Sequence, residues 1–565
     1  MRYVALACDY DGTLALAGRV DESTLAALRR VRDSGRRLIL VTGRRLDDLQ
    51  SVFSEHRLFD RIVAENGAVA YDPARREARP LAEPPPAAFA AALRERGVTP
   101  LDAGEVIVAT WRPNEVPVLA AIRDLGLELQ VIFNKDAVMV LPSGVNKATG
   151  LAAVLSEMRL SAHNVVAVGD AENDHALLQS CECGVAVAHA LPLLKERADL
   201  VTEGDHGAGV TELITRLLAN DLDDLAPSLR RHEILIGREP GGAEVCLPPY
   251  GHSVLLAGTS GGGKSTLAGA FLERLAERGY QFCLVDPEGD YEGFERGVVL
   301  GTGRKAPEAS EVLAVLDTPG QNAIVNLTGV PLDERPRFFE GLLPHLQELR
   351  SVTGRPHWIV LDEAHHLLPG DRRTSGAVVP QRLRNALLIT LEPSTVAPEA
   401  LQSIDTLLVL GDKAADALRD FAQAADETAP GGVPPLERGE AAIWRRGSPE
   451  ARAFGVEPPR AAHRRHRRKY AEGELLEDEH FAFRGPEGKL NLRAENLRSF
   501  VRIAEGVDED TWLHHFRQGD YSRWFRGVIK DEDLAREAEE AERAGLPVAE
   551  GRARIREMVE RRYAV

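Results

Sequence analysis

Cysteine is scarce: the 565 residues contain five, Cys8, Cys181, Cys183, Cys246 and Cys283. Most of them fall in apolar stretches of strand character, so buried, reduced thiols are expected and a disulfide-stapled scaffold is excluded. Cys181 and Cys183 form a lone CxC with no second ligand pair, short of the four donors of a structural zinc site. Long apolar runs are missing too. None reaches the ~20 residues that cross a bilayer, and the N-terminus, MRYVALACDYDGT, passes from a short strand into a motif instead of a signal-peptide cleavage site. A cytoplasmic chain with no membrane partner is expected. No repeat of solenoid type is present. Positive charge is in deficit, and the net charge of −18 argues against a protein coated in nucleic acid, while leaving room for a local basic channel.

What is present is enough for several cores. At 44% apolar residues the chain is globular, and its length exceeds what one core supports. Residues 1–218 alternate β-branched runs (YVALACDYD, RLILVTGR, NVVAVGDA) with alanine- and leucine-rich helical patterns, the rhythm of a parallel α/β sheet. Residues from about 79 to 143 break that rhythm as a small α+β insert, with strands expected at EVIVATW and DAVMVL. Residues 219–230 read as a linker. A second α/β unit follows over 231–448, with strands HSVLLAG, QFCLVDP, HWIVLDE, ALLITLE and TLLVLG. Residues 449–474 form a second linker that contains the basic run PRAAHRRHRRK, and residues 475–565 turn wholly helical. The basic run is either a solvated linker or a contact to a phosphate backbone.

The first chemical signature is DYDGTL at residues 9–14. Residues two apart on an extended segment face the same way, so Asp9 and Asp11 can reach one phosphate. Strand-end aspartates often only cap turns. Here, however, VTGR ends another strand with Thr42, a hydroxyl donor; Lys147 opens a helix; and VVAVGDAENDHALL supplies Asp170, Asn173 and Asp174, hard oxygen ligands suited to magnesium. All four groups fall at the carboxyl edge of one sheet, where open α/β folds bind ligands.

In this order of motifs, residues 1–218 resemble the haloacid dehalogenase superfamily of phosphatases, and within it the Cof-like branch, which ENGA at 65–68 and GVAVAHA at 184–190 also match. The resemblance implies a Rossmann-like domain with a cap formed by the insert. It implies that Asp9 attacks phosphorus to give an aspartyl-phosphate, that Asp11 protonates the leaving oxygen and then activates water, and that Thr42 and Lys147 stabilise the transferring group. Magnesium would be held by Asp9, Asp170, Asp174 and the Asp11 position, one ligand being a backbone carbonyl. A cap excludes bulky substrates, so a small phosphorylated metabolite such as phosphoglycolate, a sugar phosphate or a nucleotide is expected.

The second signature, HSVLLAGTSGGGKSTLAGAFL, runs strand, glycine-rich loop, helix, the context that makes a P-loop. Gly258, Gly261, Gly262 and Gly263 shape the phosphate cradle, Lys264 bridges the β- and γ-phosphates, Ser265 ligates magnesium and Thr266 follows it into the helix. HWIVLDEAHH ends an apolar strand in Asp362, for the magnesium shell, and Glu363, for polarising water. A water-activating glutamate favours ATP hydrolysis over phosphate transfer. Residues 231–448 resemble the HerA/FtsK group of motor ATPases through LVDPEGDY at 284–291, the DEAH-like segment at 362–365 and LLITLEPSTVAPEAL at 387–401. That resemblance implies a RecA-like fold, a homo-oligomeric and commonly hexameric ring, DNA or RNA as partner, and an arginine completing the neighbour's site, for which Arg382 and Arg384 are the candidates. Two departures stand against it. Leu391 occupies a place where relatives carry Gln or His, and HEILIGREPGGAEVCLPPYG is too short for a full β-barrel.

In the C-terminal region Trp512, Phe516, Tyr521, Trp524 and Phe525 interleave with His514, His515, Arg517, Arg523 and Arg526. Core packing of a small helical domain and a nucleic-acid or partner surface are both compatible with that pattern. The expectation for the whole chain is a magnesium phosphatase fused to a HerA-like ATPase and a helical tail. The alternatives are a polynucleotide kinase-phosphatase and a metabolite phosphatase governed by a nucleotide-gated scaffold.

Overall fold

The computed structural model of the chain describes residues 1–259, 262–370, 383–433, 435–460, 470–471, 475, 479–529 and 531–563, without the side chains of 226–228 and 487. Gly261, Arg382 and the core of the basic run, residues 461–469, lie outside the described residues.

An eight-stranded sheet organises the N-terminal domain, in the order Leu200–Val201, Cys183–Ala186, Val165–Gly169, Ala5–Cys8, Arg37–Val41, Arg61–Ala64, Val69–Asp72, Glu77–Pro80. The first six run parallel and the last two are added antiparallel. Parallel strands are covered on both faces, which is why ALAC and VVAVG are buried at every position and read as unbroken apolar runs. The insert forms a separate antiparallel sheet in the order Asp102–Ala103, Val108–Trp111, Ala137–Pro142, Leu129–Asn134, with helices Ala87–Glu95 and Glu115–Asp124 packed through Phe89, Leu93 and Val118 against Val108 and Val140. Its start was expected near 79. That boundary falls inside Glu77–Pro80, which hydrogen-bonds into the main sheet, so the cap begins beyond Pro80.

The second sheet has eleven strands. Seven are parallel, in the order Thr406–Leu410, Val254–Gly258, Ala386–Thr390, Trp358–Leu361, Phe282–Asp286, Ala323–Asn326, Val298–Leu300. Glu440–Arg445, Arg452–Val456, Ile234–Arg238 and Glu244–Leu247 extend it antiparallel. Strand Arg452–Val456 therefore belongs to this domain and not to the linker expected from 449: Phe454 is buried against Ile236 and Ile443. The linker expected at 219–230 is likewise packed, since Leu222, Leu225 and Leu229 enter the N-terminal core and Asp221 accepts from Arg36 at 2.9 Å.

The C-terminal region holds a short hairpin, Phe481–Phe483 with Leu492–Ala494, and helices Leu497–Gly506, Glu509–Gln518, Asp520–Gly527, Glu532–Arg543 and Val548–Arg562. Its aromatic residues are core: Trp512, Tyr521 and Phe525 are 0% exposed, so they cannot stack on bases. Four of the five cysteines are buried thiols and Cys246 is half-buried. No helix among the described residues is long and apolar enough to cross a membrane.

The two α/β domains meet through a buried polar junction around Glu182. Its carboxylate accepts from Arg2 at 2.8 Å, from the Tyr280 hydroxyl at 2.7 Å and bonds His163 Nδ1 at 2.8 Å, while His163 stacks on Tyr280 with ring centres 3.8 Å apart. Beside it, His357 Nε2 bonds Asn164 Oδ1 at 3.1 Å, and the buried Arg355 donates to the Arg159 carbonyl at 2.8 Å. Every one of these contacts lies at the amino ends of strands. Asn164 precedes Val165–Gly169, Tyr280 precedes Phe282–Asp286 and His357 precedes Trp358–Leu361. The opposite, carboxyl ends carry the motif residues of both domains, so neither site opens toward the junction.

Burial alone would raise the Glu182 carboxyl, but His163, Arg2 and His232 hold it well below the ordinary value of 4.5. A depressed carboxyl stabilises the fold above its unfolded pKa, and that contribution is lost as pH falls through the folded one. The Glu182→Ala chain is expected to lose about 3–5 kcal/mol by stranding Arg2 in the junction. The difference in melting temperature from wild type should shrink as pH falls below 4.5. Equal melting temperatures at neutral pH would contradict the role given to Glu182.

Candidate functional sites

In the N-terminal domain, Asp9 follows the central strand Ala5–Cys8 and Asp170 follows its neighbour Val165–Gly169. Asp9, Asp170 and Asp174 bring carboxylate oxygens within 4.8 Å of one another, and all three residues are buried. Lys147, 1% exposed at the start of its helix, donates to Asp9 Oδ1 at 2.5 Å and to Asp174 Oδ1 at 2.6 Å. The other oxygen of Asp174 accepts the backbone N–H groups of Asp170 and Ala171, each at 3.0 Å, and Thr13 donates to Asp170 at 3.1 Å. Gly12 has φ +87°, and a Cβ there would stand 2.4 Å from Asp170, so the turn admits only glycine.

Burial, then the neighbouring Asp174, pushes the Asp9 carboxyl well above the ordinary range, with Lys147 opposing. Burial disfavours the charge on Lys147, but Asp174 and Asp9 outweigh it and the shift is upward. Three carboxylates, against the ammonium groups of Lys147 and, from the cap, Lys135, leave the cluster with excess negative charge in a buried site. That imbalance, with hard oxygen donors only, fits a divalent cation such as magnesium.

Thr42 is fully buried at the end of Arg37–Val41, beside the Asp9 strand. Asp11 differs from expectation as a metal ligand. Its carboxylate stands outside the trio because Arg44 takes it in a bidentate pair, Nε to Oδ2 at 2.6 Å and Nη2 to Oδ1 at 2.8 Å. Arg44 was the missed residue here, although it closes the VTGR segment that contains Thr42. Glu65 was missed as well. It is 1% exposed and accepts the backbone N–H groups of Glu105, Val106 and Ile107 at 2.8, 2.8 and 2.9 Å, tying the cap to the sheet domain.

In the second domain Gly258 ends the strand, Gly262 and Gly263 lead into helix Lys264–Glu277, and Gly263 has φ +100°. Lys264 Nζ donates to the Gly258 and Thr259 carbonyls at 2.8 and 3.3 Å, folding its ammonium over the loop; Ser265 and Thr266 continue the first turn. Two strands away, Asp362 is 5% exposed at the end of Trp358–Leu361. Burial, then Asp286 and Asp290, pushes its carboxyl well above the ordinary range. Glu363 has φ 40°, a left-handed conformation that a glutamate adopts at a cost, and its Oε2 lies 3.5 Å from His365 Nδ1. Asp286 of the DPEGDY segment accepts the N–H groups of Gly289, Asp290 and Tyr291 at 2.8, 3.1 and 2.8 Å, so this aspartate shapes the turn.

Arg384 is not brought to this site. It precedes strand Ala386–Thr390 at its amino end and donates to Asp223 at 2.8 Å. Leu391 is 39% exposed just beyond the same strand, on the P-loop side of the sheet.

Comparison with known proteins matches both halves. A family profile described as haloacid dehalogenase-like hydrolase covers residues 6–81 and 125–214, and one described as Helicase HerA, central domain, covers 242–328. Phosphoglycolate phosphatase of Methanothermobacter thermautotrophicus is 31% identical over 222 residues, 38% of this chain and 98% of that protein. Phosphoglycolate phosphatase of Methanosarcina acetivorans is 30% identical over 235 residues, 39% of this chain and 99% of that protein. Among solved structures, a haloacid dehalogenase-like hydrolase from Bacteroides thetaiotaomicron is 21% identical, with a TM-score of 0.34, covering 38% of this chain and 99% of that one.

The fold and these matches define a phosphoric monoester hydrolase joined to an ATPase domain. The chain belongs to the haloacid dehalogenase-like hydrolases and carries a HerA central domain in the same polypeptide.

Proposed function

We propose that this chain is a magnesium-dependent phosphatase for a small phosphomonoester, phosphoglycolate first among the candidates, coupled in one polypeptide to a HerA-like ATPase that acts on nucleic acid. The observation that carries the phosphatase reading is the sharing of Lys147 between Asp9 and Asp174 beside Asp170. The names of the relatives support phosphoglycolate.

Asp9 is held by Lys147 through Oδ1, and its Oδ2 attacks phosphorus. An Asp9–phosphorus bond forms as the ester P–O bond breaks, and Asp11 gives its proton to the leaving oxygen. Arg44 engages both oxygens of Asp11, so Asp11 must swing off that pair to give its proton to the leaving oxygen and, once it has done so, to take a proton from the water that cleaves the aspartyl-phosphate. Thr42 and Lys147 hold the phosphoryl oxygens. Magnesium, held by Asp9, Asp170 and Asp174, would supply charge neutralisation at the phosphoryl group.

At the second site Lys264 would bind the β- and γ-phosphates of ATP, Ser265 and Asp362 would hold its magnesium and Glu363 would orient water. Nucleic acid would be gripped by a homo-oligomeric ring in the cytoplasm. A panel of phosphorylated metabolites, assayed with and without ATP and DNA, tests the whole reading; absence of phosphatase activity on every member would overturn it. Neutralising Arg464, Arg465, Arg467 and Arg468 is expected to reduce the log–log salt slope of duplex binding by up to about four units. Wild-type protein that binds neither DNA nor RNA in a salt-sensitive way would remove nucleic acid from the proposal.

A further inference from the structure

The turn between cap strands Leu129–Asn134 and Ala137–Pro142 carries Lys135 into the mouth of the Asp9 site. Its Nζ lies 3.3 Å from Asp170 Oδ2, its backbone N–H points at Glu172 Oε2 at 3.4 Å, and its φ of 54° makes the turn sharp. The side chain is nonetheless 61% exposed and reaches the site from outside. On the adjacent cap loop, Arg112 bonds the Asp136 carbonyl through its backbone N–H at 2.9 Å, and its guanidinium lies 5.2 Å over the Phe133 ring.

These two cations differ from others nearby. Arg45 is paired with Asp47 and Asp102, Arg96 with Asp124, and Arg79 with Glu157. Arg112 has no carboxylate partner among the described residues, and the partner of Lys135 is Asp170, one of the three acids that fit a divalent cation. With a divalent cation held at Asp170, that carboxylate would no longer hold Lys135, whose ammonium would be repelled from it. Lys135 is then left at the mouth of the site beside the exposed Glu172, with the exposed Arg112 on the adjacent cap loop, and a negative group on the substrate would meet both cations there. Lys147 and Thr42 already serve the phosphoryl group from the floor of the site, so the cap edge meets the other end of the molecule.

We propose that Lys135 and Arg112 form an anion subsite on the cap that receives a carboxylate carried by the leaving group, which makes short carboxylate-bearing phosphomonoesters the preferred substrates. This rests on the phosphatase reading of the Asp9 site and narrows it: a neutral sugar phosphate offers this edge no charge.

The test compares 2-phosphoglycolate with para-nitrophenyl phosphate in wild type, Lys135→Ala, Lys135→Arg and Arg112→Ala, and measures glycolate binding by calorimetry in the presence of magnesium. The ratio of kcat/KM for phosphoglycolate over the uncharged ester is expected to fall about 10- to 100-fold in Lys135→Ala, the scale of one charge-assisted hydrogen bond. Lys135→Arg should restore most of it, and glycolate binding should weaken in Lys135→Ala and Arg112→Ala. An unchanged ratio, or equal losses on both esters, would overturn the subsite. Wild type that hydrolyses para-nitrophenyl phosphate but no carboxylate-bearing ester would overturn the subsite and leave the phosphatase standing. Hydrolysis of neither would overturn the phosphatase reading itself.

Discussion

Hydrolysis of para-nitrophenyl phosphate is expected to fall by at least about a hundredfold in the Asp9→Asn chain, the scale of losing a catalytic group, while ATP hydrolysis continues. The amide cannot attack phosphorus, and it removes one of three carboxylates around the proposed cation. Folding should survive, because the substitution deletes a charge that burial and Asp174 already disfavour. The ATPase should be spared for a geometric reason. The junction between the domains touches only the amino ends of the strands, whereas Asp9 and Asp362 stand at carboxyl ends. Full phosphatase activity in this variant would dismiss Asp9 as nucleophile, and loss of both activities would show that the domains do not work independently.

The second large effect is at Glu363. Glu363→Gln should retain ATP yet hydrolyse it at least about a hundredfold more slowly, since the amide cannot polarise water. Lys264→Ala should lose nucleotide affinity instead, because the ammonium that folds over the P-loop carbonyls is the group proposed to meet the phosphates. Nucleotide binding measured by fluorescence separates the two. If both variants lost affinity equally, Glu363 would be a binding residue and the division of roles would be wrong.

Much of both sites was legible because their chemistry is local. DYDGTL, the glycine-rich strand-to-helix loop and the acids ending apolar strands each place a reactive group within a few residues of the element that positions it. What was hidden depends on distant partners. Lys135 sits in an ordinary-looking polar turn, and nothing near it in sequence points to Asp170. The motif gives Asp11 its place as acid and base, but not the Arg44 guanidinium that pairs with its carboxylate. The Glu182 junction assembles residues 2, 163, 182 and 280, which share no motif.

Boundaries failed for a related reason. The leucines of the expected linker after 218 looked like spacers but fill the N-terminal core, and strand Arg452–Val456 extends a sheet whose other members lie far upstream. In the C-terminal region the interleaved aromatic and basic residues favoured a core over a binding surface, and the burial of Trp512, Tyr521 and Phe525 agrees.

The most direct measurement of the central claim is the covalent intermediate itself. Asp11→Asn removes the base of the water step, while para-nitrophenolate leaves without needing a proton, so a quenched reaction with para-nitrophenyl phosphate should accumulate phosphoryl-enzyme. Peptide mapping by mass spectrometry should then find one phosphoryl group on Asp9, removed by hydroxylamine. Turnover that proceeds with no phosphoryl group on Asp9, or with the group on another residue, would contradict the account.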